Sequence, residues 1–97
     1  MTTVERFAKA QKVAEIITAA GGAEQFGGVS SRVAAAAWQK GDLVRVYVSD
    51  GRGYTGRQYG FLSIDTDGDV TGANGLTGVQ GAKAIAALDA AGVESFA

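Results

Sequence analysis

The chain has 97 residues, 46% hydrophobic and 20% charged, and its nine basic and ten acidic side chains give a net charge of -1. That length suits one domain with a modest core, and the composition argues against both a disordered segment and a membrane span. Neither the basic excess of a nucleic-acid binder nor the acidity of a nucleic-acid mimic is present, so charge-driven binding would require local clustering.

Cysteine and histidine are both absent. Their absence removes disulfides, thiolate nucleophiles, Ser-His-Asp and Cys-His catalysis, and zinc sites built on either residue. Charges at Glu5, Arg6, Lys9, Lys12 and Glu15 interrupt the first twenty residues, which therefore do not read as a signal peptide or anchor; a cytoplasmic location is expected. Proline is missing too, so turns must be made by the fifteen glycines and by Asp, Asn and Ser.

Thr2-Thr3-Val4-Glu5 fits a capping box, the arrangement in which a hydroxyl and a carboxylate each take one orphan amide hydrogen of a helix start. Val4, Phe7, Ala10, Val13, Ala14 and Ile17 recur at three- and four-residue steps, predicting an amphipathic helix that ends at Gly21-Gly22. Residues 21–30 read as connection, with at most one short turn around Glu24 to Phe26. Ser31 to Gln39 contains four alanines and could be helical, but the following Lys40-Gly41-Asp42 turn favours a strand.

From Leu43 to Ser49, Val44, Val46 and Val48 alternate with Arg45 and Tyr47, the period-two pattern of a half-buried strand with its valines inward. Gln58 to Asp65 reads as the returning strand, with Tyr59 and Phe61 on one face and Leu62 and Ile64 on the other. A tight turn then leads to a short strand at Val70-Thr71. After a turn at Ala73-Asn74-Gly75, Thr77-Gly78-Val79-Gln80 fits a second capping box; a helix from Gly78 to Ala91 is expected, burying Ala82, Ile85 and Leu88 and stopping at Gly92. Gly81 within that helix suggests a close backbone approach. The expected architecture is α+β: one domain over residues 1–97, a small antiparallel sheet of three to four strands flanked by an N-terminal and a C-terminal helix packed on one face.

Asp65-Thr66-Asp67-Gly68-Asp69 begins like a calcium loop, but position six is Val70 where glycine is needed and position twelve is Leu76 where a bidentate glutamate is needed. A hairpin turn with solvated carboxylates is the better reading, and no metal or cofactor is expected. Gly51-x-Gly53-x-x-Gly56 has dinucleotide-loop spacing but follows a hairpin strand and opens no helix, so the dipole that would hold pyrophosphate is missing. Nothing assigns two carboxylates to one cleft, and the chain is not expected to be an enzyme.

The unit Gly-Arg-x-Tyr occurs twice, at Gly51-Arg52-Gly53-Tyr54 and Gly56-Arg57-Gln58-Tyr59. Arginine offers a planar fork to carboxylate or phosphate, and tyrosine a flat face with a hydroxyl. Arg52, Tyr54, Arg57 and Tyr59, extended by Arg45 and Tyr47 on the neighbouring strand, form the candidate partner-binding set. The bland alternative is a flexible hairpin whose tyrosines pack on the sheet edge.

The run Trp38 to Val48 followed by Tyr59 to Asp65 resembles the hairpin sheets of compact bacterial and phage proteins. The size, the missing catalytic groups and the helix–sheet–helix layout look like those of small phage-encoded inhibitors of bacterial defence, notably anti-CRISPR proteins. This resemblance implies occlusion of a nucleic-acid-binding or catalytic surface on a larger bacterial effector, although the near-neutral charge departs from the acidic, DNA-mimicking subset. A non-enzymatic protein-binding module is thus the leading expectation; single-stranded nucleic-acid binding by the same residues and self-association through a sheet edge are the alternatives.

Overall fold

The computed structural model describes residues 1–21, 24–26, 29–31, 33–50 and 57–97, with backbone only at 21, 24–26 and 29–31. Helix α1 (Thr3–Gly21) is followed by a short antiparallel pair, β1 (Glu24–Phe26) and β2 (Val29–Ser31). The connection expected at 21–30 thus contains strand pairing in place of a turn at Glu24 to Phe26. Then come β3 (Ala34–Lys40), β4 (Leu43–Ser49), β5 (Gln58–Ile64), β6 (Val70–Thr71), a 3-10 turn at Ala73–Gly75 and helix α2 (Gly78–Ala90). Strands β3 to β6 pair antiparallel in chain order, giving the expected four-stranded α+β architecture.

The first capping box forms as the sequence predicts. Glu5 N–H donates to Thr2 Oγ1 at 3.1 Å, and Thr2 N–H donates to Glu5 Oε1 at 3.1 Å. The hydrogen bond from the Thr2 backbone, then that with its hydroxyl, holds the Glu5 carboxyl below its usual pKa. The second box does not close. Thr77 makes no side-chain cap; its hydroxyl instead donates to Tyr59 O at 3.4 Å, beside the 2.9 Å bond from Thr77 N–H to the same carbonyl. The far end of α2 follows the sequence closely: Gly92 has φ 76°, its N–H reaches Asp89 O and Val93 N–H reaches Leu88 O. Those two bonds satisfy carbonyls that the helix end would otherwise orphan.

Both helices cover one face of the sheet. Ala10, Val13, Ala14 and Ile17 of α1 meet Val44, Val46, Val48, Leu62, Ile64 and Val70 of the sheet and Ala84 and Leu88 of α2, all buried. Burying a valine or leucine side chain contributes about 1.5–3 kcal/mol, so the fully buried valine row of β4 anchors the layer. Two helix faces differ from expectation. Val4 is 80% exposed, and Arg6, 7% exposed, turns inward in its place. The guanidinium of Arg6 donates to Ile64 O at 3.2 and 2.6 Å and to Asp42 O at 2.8 Å, so a buried charge is offset by two carbonyls, one at the end of β5 and one in the β3–β4 turn. In α2, Gly81 and Ala84 are buried with Leu88, while Ala82 is exposed and Ile85 half-buried. A Cβ at Gly81 would lie 3.0 Å from the Leu76 carbonyl carbon, the close approach its glycine permits, and this contact sets the rotation of the helix.

The two edges of the sheet are finished differently. Along β6, Ser95 makes a parallel bridge to Val70, Phe96 N–H donates to Val70 O and Ala73 N–H to Phe96 O, so the C-terminal residues cover that edge. At β3, Thr18 Oγ1 accepts from Ala35 N–H at 3.0 Å and donates to Ala35 O at 3.3 Å.

Candidate binding face

The hairpin joining β3 and β4 fixes what the sheet face turned away from the helices displays. Gly41, with φ 58°, takes the first central position of a two-residue loop, and Lys40 pairs with Leu43. Counting back places Trp38 opposite Arg45 and Ala36 opposite Tyr47, while β5 places Phe61 opposite Tyr47. Since Val44, Val46 and Val48 face the helices, these partners share the opposite face.

They form a contiguous aromatic cluster around one cation. Trp38 and Tyr47 meet edge-to-face with centroids 5.8 Å apart, and Tyr47 and Phe61 are tilted at 5.4 Å. The Arg45 guanidinium carbon lies 4.2 Å from the Phe61 centroid and 5.7 Å from that of Trp38, and Arg45 Nη1 donates to the Tyr47 hydroxyl at 3.1 Å. Among the described residues, no group hydrogen-bonds the buried Arg45 Nε, and the guanidinium is held by the rings and the Tyr47 hydroxyl. Phe61 is 38% exposed. Strands β3 to β6 contain no aspartate or glutamate, so the face is aromatic and weakly cationic although the chain as a whole is not.

The candidate set divides. Arg45 and Tyr47 stand together in this cluster, joined by Trp38 and Phe61, which the Gly-Arg-x-Tyr motif does not contain. Arg52 and Tyr54 lie outside the described residues. Arg57 is exposed, with its guanidinium carbon 5.9 Å from the Tyr59 centroid, but Tyr59 is half-buried against the core and not beside Phe61. The cause is a bulge: Val48 pairs with Gly60 and Ser49 with Gln58, so Tyr59 is the extra residue and the alternation resets at Gly60, φ 123°. The expectation that Tyr59 and Phe61 share a face is therefore corrected. Residue counting from the Gly41-Asp42 turn finds Trp38 opposite Arg45; only the bulge has no counterpart in the hydrophobic pattern.

The acidic turn is accounted for by its own backbone. Asp65 Oδ1 accepts from Asp67 N–H at 3.0 Å and Asp69 N–H at 2.8 Å, and Gly68, φ 86°, supplies the positive backbone angle of the turn. Val70 and Leu76, at calcium-loop positions six and twelve, are committed to the core. Among the described residues, no helix is long and apolar enough to cross a membrane.

No protein-family model, curated protein or solved structure matches the chain. The likeness to phage-encoded inhibitors accordingly rests on size and layout.

Proposed function

We propose that this domain acts by binding another protein, without catalysing a reaction, and that the Trp38/Arg45/Tyr47/Phe61 face is the contact surface. The observation that carries this reading is an arginine held in place by aromatic rings on the sheet face opposite α1 and α2. Tryptophan, tyrosine and arginine are the residues most enriched at binding hot spots, and a side chain already ordered loses little freedom on binding. With no carboxylate on these strands, the complementary partner presents an apolar surface with an acidic group opposite Arg45. Occlusion of a surface on a larger bacterial effector in the cytoplasm, the mode implied by the resemblance to anti-CRISPR inhibitors, fits such a contact.

The test is co-purification from bacterial lysate with wild type, with Trp38→Ala/Phe61→Ala, and with Arg52→Ala/Tyr54→Ala/Arg57→Ala, each checked for folding by circular dichroism. Loss of partners from the first variant alone supports the face. Loss from the second alone moves the site to the Gly-Arg-x-Tyr segment, and equal recovery from all three refutes both.

Single-stranded nucleic acid is the second reading, favoured by the same juxtaposition of π-faces and a cation, because bases stack on aromatic side chains regardless of sequence. It requires oligonucleotide binding that weakens steeply with added salt, and no shift at low salt eliminates it.

A further inference from the structure

We infer that the open edge of β3 is a pairing site for a second copy of this chain, joined antiparallel about Trp38. In an antiparallel hairpin with a two-residue loop, the residues flanking the loop exchange hydrogen bonds, and along the strand such positions alternate with ones whose N–H and C=O point away from the partner strand. Lys40 and Leu43 flank the loop, so Trp38, Ala36 and Ala34 bond to β4 while Gln39, Ala37 and Ala35 point to the edge. The Thr18 hydroxyl, bonded to both the N–H and the C=O of Ala35, confirms that alternation and closes that position. Among the described residues, no group takes the N–H and C=O of Ala37 and of Gln39.

A twofold axis through Trp38 uses this set completely. It places Ala37 opposite Gln39 of the other copy, and the two copies then form four hydrogen bonds that leave none of these groups over. The Thr18 contacts stay intact. Lys40 falls opposite Ala36, so no like charges meet. Edge strands that must stay single are usually blunted by charge, proline or a bulge; β3 carries one charge, Lys40 at its end, with no proline and no bulge, and the opposite edge is covered by the chain's own C-terminal residues. Beside the edge on the helix-covered side runs a groove of about 530 Å³, lined by Phe7, Gln11, Glu15 and Ala37 among others. Pairing extends the sheet to eight strands and sets the two Trp38 side chains side by side, while Arg45, Tyr47 and Phe61 lie on inner strands away from the new seam. The oligomeric state is measured without reference to any partner.

Sedimentation equilibrium of the wild-type chain is expected to give twice the 9.8 kDa monomer mass. Register is read with single cysteines in a chain that has no other thiol. Residues opposite each other at a non-hydrogen-bonded pair lie about 4.5 Å apart at Cα, within disulfide reach, so Trp38→Cys is expected to cross-link to its own copy on mild oxidation. In the same register Ala36→Cys lies about 13 Å along the strand from its counterpart and stays uncross-linked. A wild-type monomer at every concentration up to millimolar overturns the inference, as does a dimer in which Ala36→Cys cross-links as readily as Trp38→Cys or in which Trp38→Cys fails to cross-link.

Discussion

The guanidinium of Arg45 stacks on the ring of Phe61, 4.2 Å from carbon to centroid, across neighbouring strands. Both side chains are part-exposed, where such a pair contributes about 0.5–1 kcal/mol. A double-mutant cycle with Arg45→Ala and Phe61→Leu, followed by urea unfolding, is expected to return a coupling energy of that size; additive losses would mean that the stacking contributes nothing.

Arg6 is the more severe substitution. Replacing it with methionine keeps most of the apolar stem but leaves Ile64 O and Asp42 O without their donors. A loss of roughly 2–3 kcal/mol is expected from the urea midpoint, because carbonyls buried with a charged donor lose both the bond and access to water. Arg6→Lys should recover only part of it, since an ammonium does not reproduce the planar fork.

Much of this core was legible in the sequence, for reasons that differ by element. The valine row of β4 could be read because alternation is a local property, and the Thr2/Glu5 box because all its atoms lie within one turn. The Thr77/Gln80 box has the same local signature yet fails, because Tyr59 O offers the Thr77 hydroxyl a partner that only the fold brings near. Val4 fits the apolar stripe by spacing, but the carbonyl at Ile64, fifty-eight residues beyond Arg6, determines which side chain enters. At the binding face, Arg45 and Tyr47 followed from strand parity, as did Phe61 on the face opposite Leu62 and Ile64, whereas setting Trp38 beside Arg45 required the pairing register.

Gly60 is expected to tolerate no side chain. Its φ of 123° is unfavourable for any L residue, and a Cβ there would lie 2.4 Å from Gly75 O. Gly60→Ala should therefore cost more than Gly41→Ala, which has φ 58° and open space around it and should lose about 1–2 kcal/mol. Thermal unfolding of the two variants side by side checks the order.

Acid should weaken the start of α1. The folded-state pKa of Glu5 lies below its usual value of 4.5, so the unfolded chain binds a proton first. The stabilisation is complete above the unfolded value and disappears as pH falls through the lowered folded one. Urea titrations of wild type and Glu5→Gln are expected to show the wild-type advantage shrinking across that acidic window and unchanged at neutral pH.

The extra residue at Tyr59 makes the composition of the aromatic face depend on length as well as on side-chain identity. Deleting Gln58 would restore simple alternation, pair Tyr59 with Ser49 and swing that tyrosine round beside Phe61. The surface could thus be enlarged by a single-codon deletion with no amino acid exchanged, a change that comparing side chains position by position would miss.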